Sequence, residues 1–485
     1  MSGLAVRVWI RALGAGTLWT CLAGAAHAQP APPSGPPAPG RPGEPAPATP
    51  TAIPAAPTVD DPMLAPIARP KVEIATWEEA LNHVRARSTD IRIAAQEVAR
   101  AEGLQRVALA GALPSISASG TYTHNLITNE SLQFDRSGNT FVQAPVRVPF
   151  PDFVTGQISV VQPALALRAW YAIKTSSIST DAAKLSYEDA KRQIALNVAN
   201  AIVGVVTAER IAELNRAGLR NALQRFDLTA RKSALGAATG LDVVRARQDV
   251  EVARATLVAG DETLRQARES LGLALGIPEQ VGVPPNVDIS GLERDARATC
   301  KPAASVDERA DIAALRTRVT VAHRTVNDVK YQFAPTVNLQ SGIATTTVNT
   351  GAAPNTTWNV QAVLAVPLWE GGARYGNLHE TEAREIQAEQ NLEAGRRKAT
   401  IEITQARRAV QVAEDRRRVA ASARDLALEA DRLTRTAFTE GRGTSLELVT
   451  AAQALRESEI QLALRDFDLV KARVAAVLAL ASCPW

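Results

Sequence analysis

The chain has 485 residues, 46% of them hydrophobic but only 4% aromatic, with 54 basic residues nearly balancing 50 acidic ones. The resulting formal charge of +4 excludes the strongly basic footprint of a nucleic-acid binder. Apolar content drawn from Ala, Val and Leu rather than from aromatics favours long, closely packed helices, and the length suffices for a sizeable core.

Arg7 and Arg11 precede an apolar stretch from Ala12 to Ala26, and Ala26-His27-Ala28 has the small-x-small form of a signal-peptidase site. Residues 1–28 therefore read as a cleaved signal peptide. The rival reading, a lipidated Cys21, places Trp19 where lipoprotein signals have a small residue. No later segment has about 18 uninterrupted apolar residues, so any membrane span is expected to consist of strands. Two cysteines remain after the signal, Cys300 and Cys483. In an oxidising compartment a disulfide between them and two free thiols are both open.

Residues 29–70 are dominated by Pro, Ala and Gly, a composition that reads as a semi-rigid leader that tethers rather than folds. Beyond it the chain repeats itself. Ile91, Ala94, Val98, Ala101, Gln105 and Ala108 recur about 221 residues on as Ile312, Leu315, Val319, Ala322, Val326 and Val329. Ile194, Val198, Ala201, Val205 and Ala208 recur about 205 residues on as Ala399, Ile403, Ala406, Val410 and Ala413. A third pair falls every seventh residue, Val243 to Leu271 against Leu448 to Ala476, the period of a coiled-coil seam. No proline interrupts 164–235 or 373–440, so each half predicts a helix on the order of 100 Å long. Each helix ends at a glycine turn, 236–240 and 441–443, after which the third seam has to run back antiparallel.

The intervals between the seams alternate with period two. Ser115, Ser117, Ser119 and Thr121 interleave with Ile116, Ala118 and Tyr122, and Trp358, Val360, Ala362 and Leu364 interleave with Asn359 and Gln361. These patterns predict strands. The chain thus divides into a first repeat at 71–278, with strands at 115–125 and 156–162, a linker at 279–305, and a second repeat at 306–485, with strands at 336–349 and 357–366. A long loop is expected from Leu126 to Thr155. Four strands cannot close a barrel, and open edges in lipid leave backbone groups unsatisfied, so closure requires several copies.

Several short motifs carry a resemblance. Val366-Pro367-Leu368-Trp369-Glu370-Gly371-Gly372 forms a strand-to-helix junction, while Ser88-Thr89-Asp90-Ile91 and Arg309-Ala310-Asp311-Ile312 open helices. With them, the span from Lys71 to Ala481 resembles the TolC family of outer-membrane efflux channels. The resemblance implies a homotrimer that is mainly α with a small β part. Long antiparallel hairpins would form an α-barrel across the periplasm, and four strands per protomer a 12-stranded β-barrel in outer-membrane lipid. It also implies a periplasmic adaptor and an inner-membrane transporter of the RND or ABC type as partners. Glu447 matches one acidic position of the family's periplasmic aperture; Thr450 occupies the other, and Asp242 lies at the matching place on the first tip. Gly236, Thr239, Gly441 and Thr444 become candidates for adaptor contact, the glycines also serving as plain helix terminators.

Catalysis has no footing in the sequence. Five histidines are scattered without metal-ligand spacing, and neither a phosphate loop nor a nucleophile elbow is present. No enzyme, cofactor, metal site or nucleic-acid partner is expected. The reading is a passive conduit for small molecules across periplasm and outer membrane. Its alternatives are a conduit for secreted polypeptides or metal ions and, in a different class, a soluble periplasmic coiled-coil scaffold.

Overall fold

A computed structural model describes residues 59–137, 140–285, 289–348, 354–483 and 485. The expectations for the signal peptide, Cys21 and leader residues 29–58 lie outside them. In chain order the strands and α-helices begin with β1 (Val72–Glu73), α1 (Trp77–Arg87), α2 (Thr89–Ala110), β2 (Ser115–His124), β3 (Asn129–Ser137), β4 (Thr140–Val148) and β5 (Asp152–Leu165). The first hairpin follows as α3 (Leu167–Ala234) and α4 (Gly240–Leu275), then β6 (Val281–Gly282), α5 (Ile289–Thr299) and β7 (Lys301–Pro302). The second half holds α6 (Ala310–Lys330), β8 (Thr336–Thr346), β9 (Thr356–Ala365), α7 (Ala373–Thr439), α8 (Ser445–Leu478) and β10 (Ala481–Ser482).

The two long helices have 68 and 67 residues, about 100 Å at 1.5 Å per residue. Each packs along its partner, α3 on α4 and α7 on α8, and α3 also lies against α8. The order across the wall is therefore α4, α3, α8, α7. The seam residues read from the sequence are the ones that pack: Val198, Val205, Leu257 and Leu271 are all at most 1% exposed. Each such leucine contributes roughly 1.5–3 kcal/mol. Contrary to the expectation from uninterrupted apolar runs, α3 is long and apolar enough to cross a membrane by length and composition. Its apolar residues Ile194, Val198, Ile202 and Val203 lie instead in the main core with Trp77 and Leu81 of α1 and Leu275 of α4.

Four strands form one antiparallel sheet in the order β2-β5-β8-β9, with β2 and β9 at its edges. Register decides its faces. Ile116 is opposite Val160, Ala118 opposite Ile158, Ile158 opposite Ile343, and Ile343 opposite Trp358, so these side chains share one face with Tyr122, Val154, Leu339, Val360 and Leu364. The other face carries Ser117, hydrogen-bonded to Ser159 at 2.7 Å, and Gln361, which donates to Gln340 at 2.9 Å.

Three expectations need correction. The stretch 126–155 is not a plain loop, for it contains the hairpin β3–β4, a separate two-stranded ribbon. Its alternation of Leu132, Phe134 and Val142 with polar residues was hidden by flanking Gly, Asn and Pro. Strand β5 runs from Asp152 through Pro163 to Leu165, absorbing the proline at a register shift. Finally, residues 59–70 are no free tether. This strap lies along the α3–α4 groove, with Met63 and Leu64 against Leu219, Leu223 and Val250, and Ile67 against Ala208, Ala212 and Leu264. Asp61 accepts from Arg254 at 2.8 Å. Three large apolar side chains between the prolines suffice to dock it.

Arg309, 3% exposed, explains the Arg-x-Asp helix start of the second half. It donates to both Asp311 oxygens at 2.9 and 2.7 Å and to the Ala479 carbonyl at 3.0 Å, fastening α6 to the end of α8. Cys300 and Cys483 form a disulfide with both residues fully buried. The bond closes a sequence separation of 183 residues, for which loop entropy alone gives on the order of 5 kcal/mol. A Cys300→Ser/Cys483→Ser variant is therefore expected to unfold at lower temperature in circular-dichroism melts, and the wild type to match it only when reduced. Equal melting of oxidised and doubly substituted protein would contradict this.

Candidate functional site

The two helical hairpins turn at neighbouring tips built from repeat-equivalent residues. Gly236 and Gly441 both sit in the left-handed region, φ 73° and 76°, where a side chain is strained. Behind them the helix ends close with Ala237 N–H on the Lys232 carbonyl at 2.8 Å and Arg442 N–H on the Ala437 carbonyl at 2.9 Å. Thr239 and Thr444 are then N-caps of α4 and α8, each in a capping box. The Thr239 hydroxyl accepts from Asp242 N–H at 3.3 Å, and Thr239 N–H donates to Asp242 at 3.0 Å. On the second tip the same two bonds join Thr444 and Glu447 at 3.2 and 2.9 Å.

All seven tip residues singled out in the sequence thus fall at one end of the molecule, and each has a local role. Glu447 is exposed and its carboxylate is held below the ordinary range, first by the Thr444 backbone N–H and then by the Thr444 side chain. Asp242 is likewise lowered, first by the Ser445 hydroxyl and then by Thr239. For both carboxylates the stabilisation is complete above the ordinary pKa and fades as pH falls through the lowered one. The Thr450 hydroxyl is exposed but donates back to the Leu446 and Glu447 carbonyls at 2.9 and 3.1 Å.

Sequence reasoning missed the contacts that join the two hairpins. Ser445 of the second tip donates to Asp242 of the first. Lys232 donates to the Phe438 carbonyl at 2.7 Å and lies 4.2 Å from its ring centroid, a cation at the C-terminal end of α7. Deeper, Arg225 of α3 and Asp249 of α4 pair at 2.5 Å, and Gln453 of α8 donates to Asp249 at 3.0 Å. Asp249 had a readable signal, since it stands beside Val250 on a seam of otherwise apolar residues. The tips also expose Leu235, Leu241, Val244 and Leu446, each at least 50% accessible.

A sequence model of outer membrane efflux proteins matches residues 80–277 and 303–482. The toluene efflux pump outer membrane protein TtgC of Pseudomonas putida is 25% identical over 300 residues, covering 60% of this chain and 58% of its own length. This chain therefore aligns with less than two-thirds of that relative. The solved structure of CusC superimposes with a TM-score of 0.71 at 18% identity, over 88% of this chain and 99% of that one. VceC of Vibrio cholerae gives 0.67 at 19% identity, over 84% and 96%. At such identities the two structures speak to the fold, which they share with this chain from strand to tip. With most of both repeats inside the matched residues, the chain belongs to the outer membrane efflux protein family.

Proposed function

We propose that the protein is the outer-membrane channel of a tripartite efflux system, a passive conduit for small molecules working with a periplasmic adaptor and an inner-membrane transporter of the RND or ABC type. The observation that carries this reading is the register of the four-stranded sheet, which gathers apolar side chains on one face and hydroxyls and amides on the other. That division suits lipid outside and water inside. Edges β2 and β9 are unpaired in the single chain, and three copies joined edge to edge give twelve strands and a closed wall.

The helices support the same ring. At the two ends of the wall, α4 exposes Leu241, Val244, Val252 and Val258, and α7 exposes Val412, Val419, Leu426 and Leu433. The α7 residues fall every seventh position, a second seam beside the one buried on α8. Head-to-tail packing of α7 on the next copy's α4 covers both rows and closes the tube. Small organic solutes are the preferred cargo because TtgC is named for toluene efflux; the name of CusC, a cation efflux protein, keeps metal ions as the second reading.

The tips form the periplasmic mouth in this reading, with Glu447, Asp242 and Thr450 at the aperture and Gly236, Thr239, Gly441 and Thr444 presenting the exposed leucines to the adaptor. Glu447→Gln separates charge from capping, because glutamine retains the capping hydrogen bond. In planar bilayers the variant is expected to lose cation preference and block by multivalent cations while its trimer stays intact. Unchanged selectivity removes Glu447 from the aperture. For the whole function, gene deletion is expected to sensitise cells to apolar drugs and dyes, with rescue by the wild type; sensitivity confined to metal salts would favour the second reading.

A further inference from the structure

Register sorts each side chain of the four-stranded sheet onto one face or the other, and the polar face holds no formal charge. It carries the odd-numbered residues of β2 and β9, those of β5 as far as Val161, and the even-numbered residues of β8. Ser117, Thr121, Gln157, Gln340 and Asn359 are among them, and none is Asp, Glu, Lys, Arg or His, in a chain of which 21% is charged. The titratable side chains of these strands, Tyr122, His124 and Asp152, lie at one end of the opposite face. There the Asp152 carboxylate accepts the Tyr122 hydroxyl and pairs with His124 Nδ1, each at 2.7 Å.

The uncharged face is also the hollow one. A cavity of about 390 Å³ lies on it, lined from all four strands by residues that include Ser119, Gln157, Ala344 and Thr357, and by Pro354 and Asn355 beyond them. Charges resume only past the helical end of the sheet, as in the pairs Glu370 with Arg374 at 2.6 Å and Arg168 with Asp328 at 3.1 Å. Those pairs are on the order of 20 Å from Asn359 along the strands, about two Debye lengths in physiological salt. At the other end the hairpin β3–β4 balances Glu130 and Asp135 against Arg136 and Arg147.

A passage with low-dielectric walls focuses the field of any fixed charge it carries, and here the wall has none to focus. Hydroxyls and side-chain amides each offer both a donor and an acceptor. Such a wall solvates a cation through its oxygens and an anion through its O–H and N–H groups. We propose that the strand section of the duct does not discriminate by charge: it passes cationic, anionic and neutral solutes alike, and selection by charge is left to the helical section. This deepens the channel reading above and rests on it.

Reaction of single cysteines with charged methanethiosulfonates reads the local potential, and the native pair Cys300 and Cys483 is bonded and buried. Ser119→Cys and Asn359→Cys are made on the polar face and Ile343→Cys on the other, each in the full-length protein in outer-membrane vesicles. The rate with a trimethylammonium reagent is divided by the rate with a sulfonate reagent, and this quotient is normalised to that of 2-mercaptoethanol. Values within about threefold of unity are expected at Ser119→Cys and Asn359→Cys, with Ile343→Cys unreactive to both reagents. Adding Gln361→Arg to Asn359→Cys should lower the quotient about tenfold; no change there would mean that wall charge does not act in this passage, which removes the ground for the proposal. A quotient displaced about tenfold or more in either direction at Ser119→Cys or Asn359→Cys overturns the proposal and leaves the channel reading intact. Failure of both polar-face thiols to react, or equal reaction at Ile343→Cys, means that the two faces do not divide water from lipid, and overturns the channel reading together with the proposal.

Discussion

Val360→Arg is expected to prevent assembly in the outer membrane, whereas Gln361→Arg, one residue on, should assemble normally and change ion conduction. Both positions lie at the middle of β9, opposite Ser341 and Gln340 of β8. They differ only in the face on which the side chain emerges. In the proposed trimeric barrel an arginine on the apolar face, near the bilayer midplane, costs roughly 2–4 kcal/mol in each copy, a penalty repeated around the ring. On the polar face of the same proposed barrel the guanidinium meets water and adds one positive charge per copy to the bore, shifting selectivity towards anions. Trimer yield in purified outer membranes and single-channel recordings measure the two effects. Equal yield for both variants would mean that the apolar face does not meet lipid.

Asp249→Ala is the second large effect, and it acts in the helical hairpins rather than in the sheet. The Asp249 side chain is 1% exposed and that of Arg225 10%, so removing the carboxylate leaves a largely buried guanidinium without its ion-pair partner. Breaking a buried pair in this way costs about 3–5 kcal/mol, while replacing both partners by apolar residues is often nearly neutral. Asp249→Ala is therefore expected to lower the thermal midpoint of the helical signal and to loosen the hairpins, because the Gln453 contact from α8 is lost with it. Arg225→Met/Asp249→Leu should recover most of the stability. Recovery by Arg225→Met/Asp249→Leu without recovery of wild-type conductance would assign the polar link a role in positioning the tips. Similar melting of Asp249→Ala and wild type would show that the pair is not stabilising.

The long hairpins were legible because the 3–4 spacing of Ile194 to Ala208 and the sevenfold spacing of Val243 to Leu271 persist over many turns, and because proline is absent until the glycine turns. The sheet was legible wherever alternation ran clean, as from Ser115 to Thr123. Local chemistry failed where the partner lies far off in sequence. Nothing near Ala68 announces that its carbonyl meets Arg268, or near Ser445 that its hydroxyl meets Asp242; both contacts exist only once the helices are laid side by side. Hairpin β3–β4 was missed because turn-forming residues around it outweighed a short alternation. Composition misjudged the strap for the opposite reason, its prolines outweighing Met63, Leu64 and Ile67. At the tips the residue types were found, but the capping boxes of Thr239 and Thr444 show why those types recur at both turns whatever further role the tips have.

Closure of the open sheet between copies is tested most directly by a cryo-electron density map of the protein purified from outer membranes in detergent. Twelve strands in a closed ring are expected, with β9 of each copy hydrogen-bonded to β2 of the next and α7 packed on the neighbouring α4. A single copy with β2 and β9 unpaired, dispersed without detergent, would contradict it.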